Sequence, residues 1–190
     1  MVTEDFLTLE EGLFKDREVG SLGRYIYAFL RAILGDREGV ISYHEIARRS
    51  KVSKGRVVNA VKVLEENGYL SKSYIYYRVE NALGRKLKLK ALCFTPVHLP
   101  RWIIFDNQLS PEEKGLLLTL YYLSTPEGKV FYFKAQIIRE FFGKDPSSPV
   151  LNRAFKSLID KGYILKERFC YRLVISDNQG IPKERSGVNH

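Results

Sequence analysis

Between Leu22 and Leu34, apolar side chains recur at Leu22, Tyr25, Ile26, Phe29, Leu30 and Ile33. This three-and-four spacing is that of one helix face, and it leaves Arg24 and Arg31 off the stripe. Gly35-Asp36-Arg37-Glu38-Gly39 breaks the pattern, and Val40-Ile41 can add one short strand. Ser42 and Glu45 have the spacing of a capping box and open a short helix through Ile46 and Ala47 to Arg49. After a turn at Ser50-Lys51-Val52, Ser53 caps a second helix with Val57, Ala60, Val61 and Leu64 on one face. Lys54, Arg56, Asn59 and Lys62 lie away from that face. Asn67-Gly68 ends the helix, because glycine takes positive φ readily.

The period then shortens to two. Ser71 to Val79 and Lys86 to Phe94 read as strands on either side of a loop from Glu80 to Arg85. In the second strand Lys86, Lys88 and Lys90 alternate with Leu87, Leu89 and Ala91, so one face is charged and the other buried. Pro96 and Pro100 fall in a stretch with no helical period, which marks a connection. Ser110, Pro111 and Glu113 then supply N-cap, N1 and N3 signals for a helix through Leu116, Leu117, Leu120 and Leu123. Val130 to Phe133 is strand-like, Lys134 to Phe142 is a short helix, and Ser147 caps another after the turn at Gly143 to Pro146.

That last helix repeats an earlier one. Val57, Ala60 and Leu64 match Leu151, Ala154 and Leu158, and Gly68-Tyr69-Leu70 matches Gly162-Tyr163-Ile164. The repeat predicts two units of an α+β, mainly α, chain. The expected divisions are an acidic segment over 1–20, a first unit over 21–95, a connection over 96–109, a second unit over 110–176 and a flexible tail over 177–190. The hairpin expected over Tyr163 to Ile175 has little room for a long tip.

Charge separates the units. The net charge is +9, and residues 21–95 carry fifteen basic and six acidic side chains against twelve and eight in 96–176. Such a field attracts polyphosphates by releasing their counterions, which puts nucleic acid first among partners. Catalytic patterns are missing: the chain has no P-loop, GxSxG or HExxH, and His44, His98 and His190 lack metal-ligand spacing. No catalytic residue, metal or cofactor is therefore expected. Cys93 and Cys170 stand alone in apolar segments and read as buried thiols. The sequence holds no apolar run of about 18 residues, so no membrane partner is expected. Met1 to Glu11 lacks the basic start and apolar run of a secretion signal. The expected location is cytoplasmic and nucleoid-associated.

The run from Ile46-Ala47 through Val52-Ser53 to Gly68-Tyr69-Leu70 resembles the bacterial winged helix-turn-helix pattern. That pattern has an Ile-Ala helix, a Val-Ser turn, and a recognition helix ending in a glycine-aromatic-aliphatic step. The second unit, with Leu109-Ser110, Lys114-Gly115-Leu116-Leu117 and Gly162-Tyr163-Ile164, is similar to the winged-helix domains of phage and plasmid replication initiators. It departs at Gly143 to Pro146, which replaces the short Val-Ser step. The resemblance implies two tandem winged-helix domains and a double-stranded DNA partner. It implies a role as transcription regulator or replication initiator.

On that reading Arg56 suits guanine O6 and N7, and Asn59 suits adenine N6 and N7. Arg48, Arg49, Lys51, Ser53, Lys54 and Lys62 surround the turn and recognition helix 53–67 and suit phosphate contact. Arg85, Lys86 and Lys88 belong to a wing over 80–90 that meets the backbone or minor groove. In the second unit the candidates are Ser148, Arg153 and Lys156. Tyr74, Tyr76 and Tyr77 read as cross-strand packing before base stacking. The surplus of Tyr121, Tyr122, Phe131, Phe133, Phe141 and Phe142 suggests a homodimer surface on the second unit. Two other readings remain open: a tandem winged-helix module that binds protein within a larger nucleoprotein assembly, and a binder of single-stranded nucleic acid.

Overall fold

A computed structural model describes residues 6–174, and the expected tail over 177–190 lies outside them. Among the described residues the chain is α+β, with one order of elements used twice. The first copy runs β1 (Phe6–Glu10), α1 (Gly12–Lys15), α2 (Ser21–Leu34), β2 (Gly39–Val40), α3 (Tyr43–Ser50), α4 (Lys54–Glu66), β3 (Leu70–Val79) and β4 (Ala82–Ala91). The second runs β5 (Pro96–Pro100), α5 (Trp102–Phe105), α6 (Pro111–Leu123), β6 (Lys129–Val130), α7 (Lys134–Phe142), α8 (Pro149–Asp160), β7 (Ile164–Lys166) and β8 (Tyr171–Leu173).

Each copy closes on a three-stranded antiparallel sheet, β2-β4-β3 in the first and β6-β8-β7 in the second. The two leading strands, β1 and β5, pair antiparallel with each other, Leu7 opposite Leu99 and Thr8 opposite His98. This corrects two expectations. Residues 1–20 and 96–109 were set apart from the units for their acidity and their prolines, yet each supplies a strand and a short helix. Prolines are tolerated because Pro96 and Pro100 stand at the two ends of β5, in a sheet of only two strands.

The copies are packed through α2 and α6. A Cβ at Gly115 of α6 would overlap the Ser21 carbonyl of α2, so glycine is what permits this helix approach. Arg24 and Arg31, expected off the buried stripe, are both buried. The reason is that α2 has no solvent face over most of its length: its own unit covers one side and β1 and α6 cover others. Arg24 donates to Thr119 Oγ1 of α6 at 2.9 Å and to the carbonyls of Asp16 and Phe141. Burial lowers its pKa to about 9, which still leaves it a cation at neutral pH. Its guanidinium lies 4.1 Å from the Phe142 ring centroid, and Tyr122 stacks on Phe14 at 5.0 Å. Tyr122 and Phe142 are therefore used between the copies, while Tyr121 and Phe141 meet Trp102 and Tyr132 of their own copy. Phe131 and Phe133 alone of the six aromatics singled out in sequence remain exposed, at 61% and 68%.

The capping signals divide. Ser110 and Glu113 form the full reciprocal box with Pro111 at N1, and Ser42 accepts from the Glu45 amide. Ser53 holds the N-cap position without a side-chain bond. Ser148, not Ser147, is the N-cap of α8, because Ser147 is drawn back to Asp145 through its hydroxyl and amide. Cys93 and Cys170 are half-buried free thiols rather than fully buried ones.

Candidate nucleic-acid interface

Helices α3 and α4 meet at Lys51, whose left-handed φ of 58° makes the turn between them. The turn rests on the second copy. Beneath it, Tyr25 donates to the Ser50 carbonyl at 3.1 Å, and Lys114 of α6 lies 5.0 Å from the Tyr25 ring centroid. Lys114 also donates to the Ile104 carbonyl at 2.7 Å, closing the last turn of α5. Burial lowers its pKa to about 8, with the nearby Lys51 charge acting in the same direction and Asp106 against it.

Helix α4 buries Val57, Ala60, Val61 and Leu64 and turns Lys54, Arg56, Asn59 and Lys62 to solvent. Two of the expected contact residues are engaged by the second copy. Arg56 forms an ion pair with Glu112 at the start of α6, and Lys51 donates to Asn107 Oδ1 at 2.9 Å. Arg48 and Arg49 face Glu45 on their own helix, Lys62 faces Glu66, and Lys88 pairs with Glu38. Lys54, Arg85 and Lys86 take part in no ion pair among the described residues.

The hairpin differs from expectation in its tip. The stretch from Ala82 to Arg85 continues the strand instead of looping, and only Glu80-Asn81 turns, with Glu80 at φ 53°. Two ten-residue strands result, which at about 3.3 Å per residue extend roughly 33 Å. Leu87, Leu89 and Ala91 bury the proximal half, while residues 75–83 are exposed on both faces. Tyr76 and Tyr77, read as packing residues, are therefore exposed at 61% and 42%, because no body lies under that part of the hairpin; Tyr74 is half-buried. Tyr77 stands opposite Gly84 and its ring covers the glycine. The Arg85 guanidinium lies 4.7 Å from the Tyr74 ring centroid, and the Lys86 ammonium 5.3 Å from that of Tyr77.

The fold thus gathers Lys54, Arg85 and Lys86 at one cavity near the start of α3, along with Ser42, Tyr43 and His44. Tyr43 carries no local signal that marks it for the site, and Tyr77, which reads in sequence as cross-strand packing before base stacking, joins it at this cavity. In the second copy, Ser148 caps α8 by position alone, Arg153 donates to the Pro149 carbonyl, and Lys156 is exposed. Its hairpin strands have three residues each, too short to project like β3 and β4. Among the described residues no helix is long and apolar enough to cross a membrane. No protein-family model matches the chain, and no curated protein matches it.

Proposed function

We propose that this chain binds double-stranded DNA through two winged helix-turn-helix units, with base reading assigned to α4 and backbone contact to the β3-β4 hairpin. The observation that carries the reading is the convergence of Lys54, Arg85 and Lys86 on one cavity that has no carboxylate in its wall. Cations left without counter-charges are suited to phosphate. Asn59 and Arg56 lie along the same helix as Lys54, and in this reading Arg56 exchanges Glu112 for a guanine edge. The role is that of a transcription regulator or a replication initiator, acting at the nucleoid.

Selection of bound sequences from a random duplex pool at two salt concentrations tests the proposal. A recovered motif whose affinity falls steeply with salt supports it. Recovery of no motif moves the weight to a protein-binding module of a larger assembly.

Self-association through the second unit is a further part of the proposal. It rests on Phe131, Phe133 and Phe169, exposed at 61%, 68% and 67%. Light scattering on the full chain across a concentration series reads it directly, and a monomer throughout refutes it.

A further inference from the structure

Strand β2 covers the edge of β4 for a short distance only. Val40 stands opposite Lys88, the Ile41 amide donates to the Leu87 carbonyl at 3.0 Å, and the chain then turns into α3. Beyond that point the edge of β4 at Arg85 and Lys86 is uncovered, and a cleft of about 560 Å³ opens between the hairpin, the start of α3 and Lys54. Its volume lies within the range of small-molecule sites, roughly 300–1,000 Å³.

The wall has two kinds of chemistry. Lys54, Arg85 and Lys86 bring three cations and no carboxylate faces them. Neighbouring Arg48, Lys62, Lys72 and Lys88 are each paired with a glutamate; what distinguishes the cleft is that three cations outside any ion pair among the described residues line one space. Tyr43, Tyr74 and Tyr77, with Ile41 and Leu87, add rings and apolar surface. In the free chain Arg85 and Lys86 lie over the Tyr74 and Tyr77 rings, and a simple phosphate would draw on those cations alone. A flat heterocycle carrying a phosphate uses both rings and cations, through stacking on tyrosine and charge-assisted hydrogen bonds.

We infer that this cleft binds a nucleoside phosphate, the phosphate among Lys54, Arg85 and Lys86 and the base against the tyrosines. The inference goes beyond duplex binding, since a fully paired duplex offers phosphates but keeps its bases stacked. It shares Lys54, Arg85 and Lys86 with the proposed function and rests on that reading only where the nucleotide belongs to a DNA strand. The nucleotide has two sources, a free mononucleotide or an unpaired nucleotide within a strand.

The experiment titrates the full chain with AMP, dTMP and inorganic phosphate by calorimetry. In parallel it measures binding to a paired duplex and to the same duplex with one unpaired nucleotide. A free-ligand site gives mononucleotide binding about tenfold tighter than phosphate. A strand site gives about the same preference for the duplex with the unpaired nucleotide. In either case Tyr77→Ala removes the preference, Tyr77→Phe retains it, and Arg85→Ala weakens both ligands of the responding arm. Equal binding of mononucleotide and phosphate, together with equal binding of the two duplexes, overturns the inference. Specific, salt-sensitive binding of the paired duplex in that same experiment leaves the proposed function standing. Mononucleotide binding without any duplex binding does the opposite.

Discussion

The Tyr69 hydroxyl donates to Asp16 Oδ2 at 3.0 Å. The second copy repeats the bond, from Tyr163 to Asp106 Oδ2 at 2.6 Å. In both places the other carboxylate oxygen accepts an amide two residues on, Glu18 in one copy and Gln108 in the other. The tyrosine of each Gly-Tyr step thus ties the chain leaving α4 or α8 to the loop before α2 or α6 of the same copy. Burial, and next the bond to Asp16, push the Tyr69 hydroxyl pKa well up, so it remains a donor throughout the physiological range.

Tyr69→Phe and Tyr163→Phe each remove one such bond without changing ring volume. Each is expected to lower unfolding stability by about 1 kcal/mol, the net worth of a typical side-chain hydrogen bond. Urea denaturation reads this as a lower midpoint at constant slope. Unchanged midpoints would show that the repeated bond does not contribute to stability.

The Gly-Tyr step was legible as a repeat because its neighbours keep helical spacing, but its aspartate partners were not. Asp16 and Asp106 fall in stretches that composition marks as an acidic segment and a proline-bearing connection. Strand pairing between β1 and β5 is a long-range event that short apolar runs such as Phe6–Glu10 do not announce. The stripe of α4 was readable because only one of its faces is buried. The burial of Arg24 was not, because a helix enclosed from several sides departs from the two-faced pattern. Arg56 was placed correctly on the outward face of α4, yet its partner Glu112 comes from the other copy and no local signal links them.

Gly115 is expected to be the most sensitive position of the interface between the copies. In Gly115→Ala the added methyl meets the Ser21 backbone, which cannot rotate away as a side chain would. Overpacking of this kind costs about 1–3 kcal/mol, and more where backbone must move. Thermal and urea unfolding should both show the loss, whereas Gly55→Ala, where a Cβ meets nothing within 4 Å, should not be destabilised.

The Lys114 ammonium makes stability depend on alkaline pH. Its folded pKa of about 8 lies below the ordinary 10.5 because burial disfavours the charge. Between those values the unfolded chain binds more protons than the folded one, so this group's contribution to stability rises with pH. Its burial penalty is present in full below pH 8. Comparing the wild type with Lys114→Met from pH 7 to 10 isolates the effect, before Tyr25, raised to about 12 by burial, gives up its proton. The wild type is expected to gain stability relative to the variant across that range. A constant difference would mean that Lys114 titrates at its ordinary value.

Arg85 and Lys86 at the hairpin should act on DNA through charge alone. Each phosphate contact removed lowers the slope of log affinity against log salt by about 1. Arg85→Ala and Lys86→Ala are therefore expected to weaken all duplexes alike and to flatten the salt dependence. A change confined to one DNA sequence would instead assign these side chains to base reading.

Arg56 and Glu112 set a competition between the second copy and DNA. The pair is part-exposed, with 49% of the Arg56 and 21% of the Glu112 side chain accessible, so breaking it costs on the order of 0–1 kcal/mol. Glu112→Gln releases Arg56 and should raise affinity for the selected duplex, up to about fivefold at low salt. Arg56→Ala should lower it by about tenfold or more, the worth of one good bidentate base contact. Because Glu112 acts only through Arg56, the double variant should bind like Arg56→Ala alone, which fluorescence anisotropy on one labelled duplex can measure. If Glu112→Gln tightens binding even when residue 56 is alanine, Glu112 repels phosphate directly, and the ion pair is not what holds Arg56 from the DNA.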